Sequence, residues 1–527
     1  MQTDRNSPAP MPRDVRERQG SFFTPRLWVE LSQQYLADYL GADWQDEYYI
    51  WDCAAGTGNL LAGLTNRHKV WASTLDQADV DLMHQRIAEG AKLLEGHVFQ
   101  FDFLNDDFSK LPEGLRRIVE DPEARKRLVM YINPPYVEGD ARLGHGRSGV
   151  HTSMIHQRYH KEMGEAAREL FAQFLIRIYV EIPKCTIGDF SKLKNLQAPK
   201  FQEFRKTYRA KLEKIFLVPA DTFDHVAGRF PISFSIWNTR EEETFRGIVA
   251  RVYDRNGEYL GEKTVASYDG RRLLAEWLSA EGNGGRIAEP KGRMASVGSD
   301  FQNQSTIFIE NPERRRKRGG RHTLIGRENL IVLAVFFAVR HCIPASWLND
   351  RDQFLWPDDG WLADPEFQSD CLAYTLLHGQ NRISSAEGTN HWIPFPEESV
   401  NARERYASRF MLDFIAGKLP VAARQTESDT TVYPSGQTPV SWSEEAQALM
   451  GAGLALWRYY HAQPDAETNA SYYDIRRHFQ GVNPRGRMNT RSEDGEYTLL
   501  AGDIRARRLA LGEKIAARVY RYGFLMG

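Results

Sequence analysis

From Ser21 to about Asn238, short apolar runs alternate with helical patterns, and this alternation constrains the fold more than any other feature of the chain. Tyr48-Tyr49-Ile50-Trp51, Lys69 to Leu75, His97 to Phe101 and Arg127 to Ile132 are strand-like, with helix-period stretches between them. Strands that recur in this way predict an α/β fold with a mainly parallel sheet. Ala166 to Ile178 carries Leu170, Phe171, Phe174, Leu175 and Ile178 at helical spacing. Phe230 to Trp237 alternates instead. Ile232, Phe234 and Ile236 share one face and Ser233 and Ser235 the other, the pattern of a half-buried strand.

After about Glu241 the texture changes. Residues 246–310 mix short strands with Gly-rich turns such as Asp254-Arg255-Asn256-Gly257. Residues 324–345 and 404–416 read as helical, and Asp503 to Tyr522 as a basic helix. The acidic, Pro/Ser/Thr-containing stretches 349–370 and 420–445 read as loops. A length of 527 residues leaves room for about two to four domains. The division expected is a flexible lead-in over 1–20, an α/β domain over 21–245 and a mixed α+β domain over 246–527. Cys53, Cys185, Cys342 and Cys371 form no CxxC pair, which argues against a disulfide scaffold and a zinc site. Met1 to Gly20 has no apolar core of a signal peptide. The longest apolar run, Leu330 to Val339, is half of what a bilayer span needs and reads as a buried helix. The expectation is a cytoplasmic protein with reduced thiols and no membrane contact.

Two loops carry the chemistry. Trp51-Asp52-Cys53-Ala54-Ala55-Gly56-Thr57-Gly58-Asn59-Leu60-Leu61 follows a strand, and its glycines allow a ligand to approach the backbone closely. A dinucleotide site would want Gly where Leu61 stands, and a P-loop would want a Lys that is absent. Asp52, followed by small residues, suits a positively charged ligand. Asp76 ends the next strand, where a carboxylate can take two ribose hydroxyls. Asp102 and Phe103 end the third, where they can hydrogen-bond and flank an adenine ring. An ammonium, a ribose and an adenine together describe S-adenosylmethionine.

The second loop, Asn133-Pro134-Pro135-Tyr136, follows the strand Leu128 to Ile132. Two prolines cannot continue a central strand, and they stiffen the backbone. The Asn133 side-chain oxygen and the Pro134 carbonyl then form a fixed pair of acceptors for an exocyclic amino group. Such a nitrogen is a poor nucleophile because its lone pair is delocalised. Holding both N–H groups favours a pyramidal nitrogen aimed at a methyl sulfonium, and no strong general base is needed. Tyr136 offers a flat face for a base.

These residues resemble the S-adenosylmethionine-dependent amino-group methyltransferases, and most closely the DNA adenine-N6 methyltransferases of the gamma motif order. Phe23-Thr24-Pro25 is similar to the opening motif, which borders the methionine end of the cofactor. Asp52, Cys53, Ala54, Gly56, Gly58, Asn59 and Leu60 match the next motif. Asp76 matches the ribose position, and Asp102-Phe103 the adenine position. Asn133, Pro134, Pro135 and Tyr136 match the catalytic motif, with Asn133 also bordering the cofactor. Glu169 to Tyr179 looks like the helix that follows. Thr222-Phe223 looks like the later motif, whose aromatic residue, here Phe223, stacks on a flipped adenine. The resemblance covers about residues 21–240. It implies a Rossmann-like, mostly parallel sheet domain followed by a mixed α+β target-recognition domain.

The resemblance implies S-adenosylmethionine as cofactor and double-stranded DNA as substrate, with no obligatory protein partner. Its alternatives are an RNA base or a protein glutamine amide as methyl acceptor. A fused nuclease is not expected. The stretch Val137 to Glu162 contains Gly139, Gly144, Gly146 and Gly149 and reads as a lid. His145, His151, His156 and His160 within it are not expected to hold a metal.

With 68 Lys plus Arg against 70 Asp plus Glu, the net charge of −2 excludes a wholly basic polycation but not a basic face. Three basic runs supply such a face. They are Lys192 to Lys214, including Lys206 and Arg209; Arg314 to Arg321, including Arg315 and Arg316; and Arg476, Arg477, Arg485, Arg487 and Arg491. Phosphate contacts by these residues would support base flipping.

Overall fold

A computed structural model of the protein describes residues 23–136, 138, 150–223, 226, 228–282, 287, 289–313, 320–419 and 438–526. The chain forms two units, Met1–Asp269 with Ser346–Arg351 and Gly270–Ala345 with Asp352–Gly527.

In the first unit α1 (Arg26–Leu40) precedes β1 (Tyr49–Asp52). Then come β2 (Val70–Thr74), α2 (Gln77–Ala88), β3 (Val98–Gln100), α3 (Glu113–Glu120) and β4 (Leu128–Ile132). They are followed by α4 (Met154–Met163), α5 (Leu170–Glu181), β5 (Thr186–Lys192), β6 (Ala210–Pro219), β7 (Pro231–Glu242), β8 (Gly247–Tyr253) and β9 (Tyr259–Ala266). Among the described residues these nine strands form one sheet, in the order β3-β2-β1-β4-β5-β7-β6-β8-β9. β1 to β5 run parallel, with Ile50 beside Val70 and Val129 and Ile132 beside Asp189. β7 runs antiparallel between β5 and β6.

Every residue of β2 and β4 is buried, as expected of parallel strands covered on both faces. Each fully buried Trp, Ile or Leu, such as Trp51, Ile50 and Leu128, stabilises the fold by roughly 1.5–3 kcal/mol. The alternating strand at 230–237 is a correction to the sequence reading. β7 is buried on both faces from Pro231 to Thr239, and it is an interior strand whose two edges pair with β5 and β6. Its serines are satisfied internally, Ser233 Oγ donating to the Ser191 carbonyl at 3.1 Å. The domain boundary also differs from the expected 245. β8 pairs in parallel with β6, and β9 closes a hairpin on β8 through the turn at Asp254–Gly257, so the first unit continues to Asp269.

The second unit is mixed α+β. The helix α6 (Leu274–Glu281) is followed by β10 (Gly292–Ser296), β11 (Phe308–Glu310) and β12 (Arg321–Ile325), an antiparallel trio in the order β11-β10-β12. The apolar run forms α7 (Leu330–Cys342), buried from Leu330 to Arg340. The unit's further helices include α8 (Pro365–Leu376), α9 (Glu444–His461), α10 (Tyr472–Gln480) and α11 (Gly495–Arg521), of which α8 and α11 pack on α7. Helical structure within 324–345 is therefore shorter than expected, and within 404–416 it covers Phe410–Ile415. The segment 349–370, expected to be a loop, contains the start of α8. Asp364 caps it by accepting from the Phe367 N–H at 2.9 Å, and Pro365 stands at its first position. Buried Arg340 ends the apolar stripe by donating to the Gly298 and Asp300 carbonyls at 2.9 and 2.6 Å.

Candidate functional site

The strand order reverses between β1 and β4, which are neighbours although separate in sequence. In open α/β sheets the loops at the carboxyl ends diverge at such a point and leave a crevice for ligands. Residues 53–61 leave β1 there and residues 133–136 leave β4 there. The sheet thus brings together the two loops singled out in the sequence.

The first loop is pinned on both sides. Buried Asp52 accepts from the Ala54 N–H at 3.0 Å, and the Ala55 N–H donates to the Ser73 carbonyl at 3.0 Å. Arg86 of α2 donates to the Thr57 carbonyl at 2.5 Å and to Asn59 Oδ1 at 3.0 Å. Gly56 and Gly58 have φ of 50° and 81°, a region that side chains rarely adopt, and the space a Gly56 Cβ would fill is open. Burial pushes the Asp52 carboxyl up to about 7, against the lowering effect of the Ala54 N–H. Cys53 and Leu60 are buried, and burial pushes the Cys53 thiol up, so it packs rather than reacts. Asp76 follows β2 at the start of α2 with no side-chain capping bond. Asp102 follows β3 and holds its own turn, accepting from the Leu104 N–H at 3.0 Å and from Asn105 Nδ2 at 2.8 Å.

Asn133 sits between two partners. Its Nδ2 donates to Thr24 Oγ1 at 2.8 Å, and its Oδ1 accepts from the Tyr136 hydroxyl at 2.6 Å. Thr24 and Pro25 immediately precede α1, whose Trp28 Nε1 donates to Thr222 Oγ1 at 2.8 Å. The segment Phe23-Thr24-Pro25 therefore tethers the Asn133 loop, and through α1 the turn before Phe223. Pro134 is buried and Pro135 half-buried.

The aromatic residues are less open than the sequence reading expects. Tyr136 is 6% exposed, with its hydroxyl on Asn133. Phe103 is 2% exposed, stacked on Phe174 at 5.1 Å and edge-on to Trp51 at 5.5 Å. Phe223 is 2% exposed and meets Phe190 edge-on at 5.8 Å.

Lys192 is a site residue that sequence reasoning assigned to a basic surface. It ends β5, beside β4, and its Nζ donates to the Tyr136 carbonyl at 2.9 Å. Burial lowers its amine to about 8, while Glu169 at 3.9 Å favours the charged form. Glu169 also pairs with Lys194, which binds Glu138 at 2.9 Å. The available signal was position. A Lys at the carboxyl end of the strand next to β4 can reach the Asn133–Tyr136 loop, as Lys192 does.

The rest of the run from Lys192 to Lys214 is largely neutralised by acids. Arg205 is buried in a bidentate pair with Asp269 at 2.6 and 2.7 Å. Lys206 pairs with Glu203 at 2.7 Å, Arg209 with Glu242 at 3.4 Å and Lys211 with Glu241 at 2.9 Å. Arg315 and Arg316 lie outside the described residues, as does His145. His156 stacks on His160 at 6.0 Å, its Nδ1 bonded to the Ala167 carbonyl at 3.1 Å. Among the described residues no group of three His, Cys, Asp or Glu could hold a metal ion, and no helix is long and apolar enough to cross a membrane.

No family profile and no curated protein matches the chain. Solved structures resemble it at low identity. The DrdV–DNA complex matches at 15% identity and a TM-score of 0.35, covering 46% of this chain and 28% of that one. The type I restriction-modification system methyltransferase subunit from Streptococcus thermophilus matches at 16% and 0.32, covering 45% and 49%. The Type IIL restriction-modification enzyme MmeI in complex with DNA matches at 10% and 0.35, covering 94% and 76%. The chain thus spans less than half the length of the first two.

Proposed function

We propose that the protein transfers a methyl group from S-adenosylmethionine to the N6 amino group of an adenine flipped out of a specific double-stranded DNA site. The observation that carries this reading is the Asn133 amide held between Thr24 and Tyr136, at the strand end beside the glycine loop of β1. The residues present fit the cofactor. Asp52 is a buried carboxylate with no side-chain cation bonded to it among the described residues, which suits an ammonium group. The open space at Gly56 admits a ligand against the backbone. Asp76 and Asp102 lie at the next two strand ends for ribose and adenine.

Bound S-adenosylmethionine supplies an electrophilic methyl group on a sulfonium. The chain positions the nucleophile. Thr24 takes the Asn133 Nδ2, which fixes the amide so that its oxygen faces away as an acceptor. That oxygen and the Pro134 carbonyl receive the two N–H groups of the amine, localising its lone pair. The Tyr136 hydroxyl now bonded to Asn133 Oδ1 shares or yields that acceptor when an amine enters. Lys192 holds the Tyr136 carbonyl and with it the far end of the loop.

The test is incubation with tritiated S-adenosylmethionine and duplex DNA, followed by nucleoside analysis. Label is expected in N6-methyladenine. Label in protein or tRNA, with none in DNA, would overturn the reading.

A further inference from the structure

The first and last of the basic runs part company in the structure. The members of the Lys192 to Lys214 run are largely paired with acids, as above. The last run is different. From Ile475 to Ser492 the chain contains five arginines and no Asp or Glu. Arg477, Arg485, Arg487 and Arg491 are all exposed, and none has a side-chain hydrogen bond or ion pair among the described residues.

Two of these arginines stand on a built turn. Asn483-Pro484-Arg485-Gly486 closes with the Gly486 N–H on the Asn483 carbonyl at 2.8 Å, with Pro at the position whose φ it presets. Asn483 Oδ1 accepts from the N–H groups of both Arg485 and Arg487, at 2.9 and 3.1 Å. Gly486 takes a φ of 69° between them, and nothing lies within 4 Å of where its Cβ would be. The Asn483 N–H donates to the Arg487 carbonyl at 2.8 Å, and Val482 bridges Met488. Asn489 ties the turn back to the end of α10, its Nδ2 donating to the Gln480 carbonyl at 3.0 Å. That helix is anchored in turn, with Phe479 stacked on Tyr497 at 4.7 Å. A flexible surface loop does not need this much backbone bonding. Here the bonding fixes two guanidinium-bearing positions, two residues apart and free of any acid.

We propose that the turn Gly481–Arg491 is a phosphate clamp for duplex DNA, with Arg485 and Arg487 each taking one backbone phosphate. This rests on the reading that duplex DNA is the substrate. A clamp of this kind positions the duplex and carries no base specificity. Each phosphate neutralised contributes about 0.9 to the slope of log affinity against log salt.

The experiment uses the full chain and a fluorescent duplex of random sequence, titrated across a salt series. Arg485→Ala with Arg487→Ala is expected to lower the slope by about 2 and the low-salt affinity by about tenfold or more. Over a fourfold rise in salt, the unsubstituted protein then loses about twelvefold more affinity than the variant. Asn483→Ala keeps both charges but loosens the turn, so its slope is expected to stay while affinity falls. Cofactor binding by calorimetry and an unchanged melting temperature report that the surface variants are folded. Unchanged affinity and slope in the double variant would overturn the clamp and leave the methyltransferase reading standing. Lost affinity with an unchanged slope would also overturn it, because the arginines would not then be meeting phosphates. Tighter binding to tRNA than to duplex, abolished in the variant, would assign the turn to RNA instead. Failure of the unsubstituted protein to bind duplex at all would overturn both readings.

Discussion

Asp52 gives the sharpest test of the proposed cofactor site, because its ionisation and the binding of a cationic ligand would be coupled. Burial holds its carboxyl at about 7 in the free protein, so about half of the molecules carry the anion at pH 7. At about pH 5 the ionised fraction is near one hundredth. In the proposed reading a ligand ammonium binds the anion, and below pH 7 its binding must first displace a proton. Affinity for S-adenosylmethionine is therefore expected to fall about fiftyfold from pH 7 to pH 5, which is about 2 kcal/mol. Calorimetry in buffers of different ionisation enthalpy measures both the affinity and the proton released. Asp52→Asn should weaken binding at pH 7 and flatten the profile. A flat profile in the unsubstituted protein, or the same slope in Asp52→Asn, would refute the pairing of Asp52 with a cation.

Further outcomes follow from the same geometry. Asn133→Ala is expected to lower methyl transfer by about two to three orders of magnitude while leaving cofactor affinity within a few-fold, as read by single-turnover kinetics beside calorimetry. Burial also lifts Asp189 to about 7, although Trp237 Nε1 donates to it at 2.8 Å. Its folded pKa is raised, so its ionised form opposes folding. This penalty is absent near pH 4, grows as pH rises to 7 and amounts to about 4 kcal/mol above that. Asp189→Asn should therefore stabilise the protein at pH 8 but not at pH 4, and urea unfolding at both values checks the sign. Lys192→Met removes the donor to the Tyr136 carbonyl and one of the cations beside buried Glu169, so a loss of about 3–5 kcal/mol is expected. Adding Glu169→Gln should restore part of it; a strictly additive double variant would count against the pairing.

What was legible in the sequence was local. The glycine loop after β1 and the prolines after β4 announce themselves within a few residues, because φ above zero and a missing N–H restrict the backbone wherever they occur. The helix at Pro365 was equally visible, since Asp364 and Pro365 are a cap and a first-turn proline, but the acidity of the segment hid it. Long-range pairing was not legible. Ser233 and Ser235 look like a solvated face until their strand is set inside the sheet, between β5 and β6, with both faces buried. Arg205 and Lys192 look like surface charge until Asp269 and Glu169 come to meet them from sequence positions 64 and 23 residues away. The carboxyl ends of β1 and β4 lie side by side for the same reason, a sheet order that no local pattern states.

The continuation of the first sheet to Asp269 bears on how such a protein could be rebuilt. A fragment ending at 245 would strip β8 from β6 and leave the Arg205 guanidinium buried without its carboxylate partner. Cutting after Asp269 keeps both. One cut is still too few, because Ser346–Arg351 returns to the first unit and Trp347 and Leu348 pack on its core. Exchanging the second unit for another would therefore take two junctions, with the short return segment carried over as part of the acceptor.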